Sequence, residues 1–426
     1  MKTVVSVGDN TLMMTHVVTV FLRNRGAVLL SQHTADAETT PGRWDGLSAP
    51  IQGDSDAVVT EARRLVRETL GQTRLRLAYA GEQLSVSAGG RERTVHPVLF
   101  DTPTRDVDID LSRSERSFDT VEWVSPTAIL DRKTVPGLWE AYQQVAASVT
   151  TVAADTVHGS AAISIHALEV LRDRAAVADE WESVVEVARE LQAARPSMAV
   201  LANRINRVMS GADRSPTAVH DRALDAIEAA CDADSTAAAT AADRLEGPIA
   251  TLSWSGTVRD TLLELGAEVT VAESRPDFEG IELAEALSAA GIDVTVTTDV
   301  ALVSLLSSRE FGAVLVGADT ILPKGDVINK TGTRALALAA DRVDVPVYVV
   351  AARDKVATDD TFHPEFGPDS AVYDGPEPVS VVNPIFDLTP GDLIDGVITE
   401  DGLLDQRGIT VVTAQHRSNT DWLAEE

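Results

Sequence analysis

Apolar and polar positions along the chain fall into three textures. Residues 1 to about 150 read as mixed α/β. Apolar runs at 17–22 and 27–31 flank Arg23-Asn24-Arg25-Gly26, a hairpin signal. Residues 57–70 place Val58, Ala62, Leu65 and Val66 at helical spacing and stop at Gly71. Further strands are predicted at 95–100 and 121–124, and an alanine-rich helix at 139–154 leads into the next region. Residues 155 to about 245 are nearly all helix, with amphipathic segments at 161–174, 181–194, 199–209 and 218–245. Arg195-Pro196 and Ser210-Gly211 punctuate them.

From Pro248 the period changes. Short β-branched runs at 249–252, 268–272, 293–297, 313–316 and 345–350 alternate with helical segments at 258–265, 281–290, 301–308 and 332–341. Strands alternating with helices predict a parallel, doubly wound sheet. In such a sheet ligands sit outside the carboxyl ends of the strands, so the loops there are where chemistry is sought.

Charge narrows the partners. The chain carries 66 acidic and 36 basic residues, a net −30, with arginine supplying most of the positive charge. A surface this acidic repels nucleic acid and anionic membranes, and it fits a salt-rich cytoplasm in which carboxylates keep proteins hydrated. The one cysteine, Cys231, excludes a disulfide framework within the chain and fits a reducing compartment. No run reaches the roughly 18 apolar residues of a membrane span. Residues 1–10 lack the charged-then-apolar pattern of a leader, so a cytoplasmic location is expected.

Four loops after the predicted strands are chemically unusual. Ser253-Trp254-Ser255-Gly256-Thr257 offers free backbone N–H groups at a helix start, either for an anion or for a simple cap. Glu273-Ser274-Arg275-Pro276, followed by Glu279-Gly280, supplies an arginine for a phosphate or for an ion pair with Glu273 or Asp277. Gly317-Ala318-Asp319 puts a carboxylate at the sheet edge, in a catalytic or a turn-capping role. In Asn329-Lys330-Thr331-Gly332-Thr333 an Asn-Lys pair opens the next helix, where lysine neutralises a phosphate as a point charge.

The strings VAESRPDFEGIELAEALSAAGIDVT, VLVGADTILPKGDVINKTGTRALALAA and NPIFDLTPGDLIDGVITEDG resemble the initiation factor 2B alpha/beta/delta family. That family includes ribose-1,5-bisphosphate and methylthioribose-1-phosphate isomerases. The resemblance runs from about Asp155 to Gly402, with Arg195-Pro196-Ser197 standing where the family has Arg-Pro-Thr. It implies a phosphosugar held between a helical part (155–245) and a Rossmann-like part (247–415). Arg195, Asn329, Lys330 and Lys355 then fall on substrate-binding positions, and Asp319 on the aspartate that works with a cysteine to move protons. There are two departures. In Thr251-Leu252-Ser253 serine replaces that cysteine, and a hydroxyl is a far poorer proton donor near neutrality than a thiol of pKa about 8.5. Val157-His158-Gly159-Ser160 stands where the isomerases read Arg-Gly-Ala, and a mostly neutral His158 holds phosphate less firmly.

Residues 15–130 resemble the Nudix fold. Pro41-Gly42-Arg43-Trp44-Asp45 matches the approach to a Nudix box, but Ser48-Ala49 replaces its glycine pair. The expected Arg-Glu-x-x-Glu-Glu core reads Arg63-Arg64-Leu65-Val66-Arg67-Glu68. Glu61 and Glu68 remain with basic residues between them, a face that repels the Mg²⁺ such a box must gather. Arg63, Arg64 and Arg67 could instead meet an anionic nucleotide.

The sequence therefore predicts an α/β chain: a degenerate Nudix-like domain over 1–150 and an initiation-factor-2B-like domain over 151–426. The leading function is regulatory binding of a phosphosugar or nucleotide. The alternatives are an active aldose-ketose isomerase, a subunit contacting a translation initiation factor, and, last, a Nudix hydrolase. The predicted catalytic pair is Asp319 and Ser253. The predicted binding residues are His158, Gly159, Ser160, Arg195, Ser255, Gly256, Arg275, Asn329, Lys330 and Lys355. No cofactor and no functional metal site are predicted, and a homodimer or larger assembly is expected.

Overall fold

A computed structural model describes residues 15–37, 40–51, 57–88, 91–107 and 118–423. The leader reading of residues 1–10 and part of the Nudix-like string, 52–54, lie outside these. The chain divides into two compact units, Met1–Ala147 and Ser148–Glu426.

The first unit is built on an eight-stranded mixed sheet. Its elements are β1 (Thr15–Asn24), β2 (Ala27–His33), β3 (Trp44–Asp45), β4 (Leu47–Pro50), α1 (Val58–Leu70), β5 (Arg76–Ala80), β6 (Leu84–Ala88), β7 (Arg91–Asp101), β8 (Phe118–Val124), α2 (Ala128–Asp131) and α3 (Leu138–Gln143). The predicted hairpin joins β1 to β2 through Arg25 and Gly26, both at positive φ, as a two-residue turn between right-twisted strands requires. β1 pairs parallel with β7, and the alternation along β1 assigns its two faces. Val18, Val20 and Leu22 pack on Ala62, Val66 and Leu70 of α1. Phe21 turns the other way, onto Ile129, Leu138 and Tyr142.

The helix expected over 139–154 is two helices. α3 ends at Gln143, and α4 (Val149–Ala154) begins the second unit behind a capping box. The Ser148 hydroxyl accepts the Thr151 N–H at 3.1 Å, and the Thr151 hydroxyl accepts the Ser148 N–H at 2.8 Å. Reciprocal caps of this kind start a helix afresh.

The second unit continues with α5 (Ser160–Val177), α6 (Trp181–Ala194), α7 (Ala199–Ser210) and α8 (Pro216–Ala242). Then come β9 (Ile249–Leu252), α9 (Gly256–Leu265), β10 (Val269–Ala272), α10 (Glu279–Ala289), β11 (Val294–Thr297), α11 (Asp299–Leu305), β12 (Ala313–Val316), β13 (Thr320–Ile321), β14 (Val327–Lys330), α12 (Thr333–Arg342), β15 (Val347–Val350), β16 (Phe386–Thr389), β17 (Gly396–Thr399), β18 (Gly402–Leu404) and α13 (Gln406–Ser418). The main sheet has the order β11-β10-β9-β12-β15-β17-β18, parallel except for its last pair. Ile249, Val269, Val271 and Leu315 face α8, α9 and α10 through Ala241, Leu262 and Leu283. Ala250, Val314 and Val316 face α11, α12 and α13 through Leu302, Leu336 and Ile409. Strands buried on both faces read as unbroken β-branched runs, which is why the sequence pattern found them.

From β9 the chain winds outward to β10 and β11, then returns to β12 on the other side. The crevice between the carboxyl ends of β9 and β12 is the switch point where such sheets bind ligands. A separate three-stranded antiparallel sheet, β13-β14-β16, carries Asn329 and Lys330. This corrects one expectation: the Asn-Lys pair ends a strand rather than opening a helix. Gly332, at φ +111, turns the chain before α12 starts at Thr333. Among the described residues no helix is long and apolar enough to cross a membrane.

Candidate functional site

The β9/β12 crevice gathers several predicted residues. Ser253 follows β9 with φ +64, Ser274 follows β10 with φ +62, and Phe278 precedes α10 with φ +61. Three non-glycine residues in left-handed backbone cluster where strain is characteristically kept, at functional sites. The Ser253 hydroxyl donates to Glu279 Oε2 at 2.7 Å, and Lys330 Nζ sits 2.9 Å from Glu279 Oε1. One carboxylate thus joins Ser253 to Lys330. Glu279 can do so because α10 comes close to the end of β10: a Cβ on Gly280 would lie 1.8 Å from the Ala272 carbonyl oxygen. Lys330 also lies 5.7 Å from the Phe386 ring centroid, a cation–π distance.

Asp319 follows β12, its backbone N–H bonded to the Ile328 carbonyl at 2.9 Å. Ser160, the first residue of α5, donates to Asp319 Oδ1 at 3.3 Å. Burial pushes the Asp319 carboxyl above the ordinary aspartate range. The Lys355 charge, the Ser160 hydrogen bond and the Lys330 charge pull the other way. Lys355 is itself buried, its ammonium on the Ala318 carbonyl. Asp319, Ser160, Ser197, Thr361, His363 and Glu365 line a cavity of about 60 Å³.

The other predicted residues have the following partners. Arg195 donates to the carbonyls of Val152 (3.0 Å) and Asp155. Arg275 is exposed, 4.7 Å from the Phe278 ring centroid. Ser255 caps α9 through the Val258 N–H, and Gly256 is the first residue of that helix. Asn329 donates to the Thr333 hydroxyl at 2.9 Å. Gly159 is the N-cap of α5, and His158 Nδ1 lies 2.6 Å from Asp155 Oδ2. The α12 start already holds an anion, because Asp387 accepts the N–H groups of Gly332 (2.8 Å) and Arg334 (3.2 Å).

Glu279, His363 and Glu365 were not among the predicted site residues. Glu279 stands inside the ESRPDFEG string, and that was its only signal. His363 and Glu365 sit in the long irregular segment after Lys355, where no periodicity points inward.

Comparison with known proteins now adds the lineage. The sequence model of the Initiation factor 2 subunit family matches residues 156–406, more than half of the chain. The chain belongs to that family. A methylthioribose-1-phosphate isomerase of Exiguobacterium sibiricum is 28% identical over 323 residues, covering 67% of this chain and 93% of the relative. A Bacillus velezensis protein of the same name is 37% identical over 152 residues, covering 33% of this chain and 43% of that one. The chain therefore spans less than half of that relative's length. Pyrococcus furiosus has a putative translation initiation factor eIF-2B subunit 2-like protein, 33% identical over 52% of this chain and 81% of its own. Among solved structures, the Pyrococcus horikoshii translation initiation factor eIF-2B superposes with TM-score 0.53 at 26% identity, covering 60% of this chain and 94% of that chain. The 5-methylthioribose 1-phosphate isomerase of the same organism gives TM-score 0.52 at 21% identity, covering 70% and 89%, a likeness of fold.

In the first unit the helix α1 presents Glu61, Arg64 and Glu68 on one exposed face. Arg64 pairs with both carboxylates at once, through Nη2 to Glu61 and Nη1 to Glu68. The hydrogen bond from Arg64 holds the Glu61 carboxyl below the usual range. A cavity of about 240 Å³ in this unit is lined by Val17, Thr19, Arg93 and Leu138. Val17 and Thr19 share the face of Phe21, so this cavity opens on the side of the sheet away from α1.

Proposed function

We propose that the Ser148–Glu426 unit binds a sugar phosphate at the β9/β12 crevice and interconverts its aldose and ketose forms. The carrying observation is the pair of acid–base groups there: Asp319, whose carboxyl burial pushes above the ordinary aspartate range, and Ser253 hydrogen-bonded to Glu279. Aldose-ketose conversion moves a proton between adjacent carbons and needs one group to take it and one to give it. Of Asp319 and the Ser253–Glu279 pair, one takes the proton from the first carbon and the other returns one to its neighbour, so the proton count of the site is conserved. Lys330 leaves Glu279 for the ligand phosphate. Relatives named methylthioribose-1-phosphate isomerase support this reading over a purely regulatory one. The test is turnover of methylthioribose 1-phosphate and of ribose 1,5-bisphosphate, followed by NMR at high salt.

The serine in the cysteine's place favours a second reading, a regulatory protein that binds a phosphosugar or nucleotide without turning it over. Binding of either substrate with no turnover selects it. Failure of every phosphorylated ligand to raise the unfolding temperature selects a subunit that works through a translation initiation factor.

Lys330→Ala separates the pocket from its surroundings. Removing one charge-assisted contact to phosphate costs roughly 1.5–3 kcal/mol, about ten- to a hundredfold in affinity. Calorimetric titration with ribose 1,5-bisphosphate measures this, and equal affinity in wild type and variant places the phosphate elsewhere.

For the first unit, we propose a Nudix-like scaffold that has lost hydrolysis. Support comes from Arg64 lying between Glu61 and Glu68, where Mg²⁺ would need both carboxylates. The expected result is no Mg²⁺-dependent phosphate release from nucleoside diphosphate derivatives. Release that disappears in Glu68→Gln overturns this.

A further inference from the structure

We propose that Asp155, His158 and His166 form a binding site for a first-row divalent transition metal, Zn²⁺ in the first instance, at the head of α5. The three residues come from the end of α4, the loop after it and the second turn of α5. Their ligand atoms all lie within 4.8 Å of one another. The Asp155 side chain is already oriented for the task. Its Oδ1 accepts the backbone N–H groups of Val157 and His158, both at 3.0 Å. That leaves Oδ2 facing the two imidazoles, 2.6 Å from His158 Nδ1 and 3.9 Å from His166 Nδ1. Backbone groups that fix a carboxylate in this way act as the outer support of a metal ligand.

The ligand chemistry selects the ion. Two imidazoles and one carboxylate suit Zn²⁺, Co²⁺ or Ni²⁺, whereas Mg²⁺ and Ca²⁺ prefer oxygen donors throughout. Bonds of about 2.0–2.2 Å around tetrahedral zinc set ligand atoms on the order of 3.4 Å apart. The present separations of 2.6 and 3.9 Å bracket that value. Small imidazole rotations therefore suffice, one ring withdrawing from Oδ2 and the other approaching it. The side chains are 12%, 22% and 17% exposed for Asp155, His158 and His166, so the site is sheltered without being sealed from solvent.

The position gives the ion a consequence. His158 and Gly159 lead directly into Ser160, whose hydroxyl holds Asp319. Arg195 grips the Asp155 carbonyl from α6. A metal here fixes the loop that sets Ser160 against Asp319.

The test uses the untagged full chain with Co²⁺ as the probe and Zn²⁺ as its competitor. The expected result is one Co²⁺ per chain, with the intense visible absorption of a four- or five-coordinate ion, displaced by equimolar Zn²⁺. His166→Gln and His158→Gln should each weaken binding at least tenfold, while His220→Gln, whose imidazole lies by Asp221, leaves it unchanged. Circular dichroism confirms that the variants remain folded. A weak, six-coordinate aqua-like spectrum overturns the proposal, as does binding that survives both substitutions. Either means that the three residues form only a hydrogen-bonded cap. The readout is metal occupancy, so it is independent of whether the crevice isomerises a sugar.

Discussion

Asp319→Asn is expected to abolish isomerisation while leaving ligand affinity equal to or tighter than that of wild type. The carboxamide keeps the size of the side chain and can still meet the Ser160 hydroxyl, so the crevice should hold its shape. It cannot exchange a proton with substrate, and losing a positioned acid–base group costs about 10²–10⁴ in rate. Binding moves the opposite way because a carboxylate near a phosphate repels it. Lys330 and Lys355, which act on Asp319 in the free protein, then serve the ligand alone. A pH profile adds a separate check. Burial raises the Asp319 pKa, so a limb of kcat/KM owed to this group must lie above the ordinary carboxylate range and vanish in the variant. A limb unchanged in Asp319→Asn, or turnover within a few fold of wild type, removes Asp319 from the chemistry.

Asp354→Ala should give the largest loss of stability. Asp354 is 3% exposed and faces two arginines of α7. Arg204 Nε lies 3.2 Å from its Oδ2, and Arg207 pairs with its Oδ1. Arg204 is 1% exposed and also donates to the Ser164 hydroxyl at 2.7 Å. Burial disfavours both guanidinium charges and brings the Arg207 pKa down to about 10. Removing the carboxylate strands a buried cation, which costs roughly 3–5 kcal/mol. In a unit of this size that is a fall in melting temperature on the order of 10 °C. The same loop carries Lys355, and Asn203 of α7 ties it by donating to the carbonyls of Asp354 and Val356, both at 2.8 Å. Loosening it therefore also disturbs Lys355, whose charge acts on Asp319. Buried pairs are little screened, so the loss should persist in molar salt. Replacing the carboxylate together with its fully buried partner, as in Arg204→Met with Asp354→Leu, should recover much of it, because Arg207 is 37% exposed and can turn to solvent. A destabilisation that disappears at high salt, or that the double variant deepens, refutes this account.

Much of the architecture could be read from the residues. The parallel sheet announced itself because strands buried on both faces must be apolar at every position, as at Ile249–Leu252 and Ala313–Val316. The hairpin at Arg25-Gly26 and the stop at Gly71 were legible because each rests on one local backbone conformation. The break before Ser148 was not. Alanine-rich sequence on both sides satisfies the helical pattern, and only the reciprocal Ser148–Thr151 bonds interrupt it. The strand character of Asn329 and Lys330 was hidden for a related reason: β14 is held by pairing with β16, almost sixty residues further on.

The candidate site divides along the same line. Sequence alone determined which residue types the site loops carry, that a serine ends Thr251-Leu252-Ser253, and that arginines stand between Glu61 and Glu68 on α1. Those are facts of residue type at a position, and residue type sets charge and nucleophilicity before any folding. Only the tertiary structure decided which charges remain available. It turned Arg195 toward backbone carbonyls, left Arg275 exposed, set Arg64 between Glu61 and Glu68, and brought Glu279 between Ser253 and Lys330. It also assembled Asp155, His158 and His166 from two helices and a loop. Coulomb and hydrogen-bond energies depend on distance and burial, and a linear order of residues contains neither.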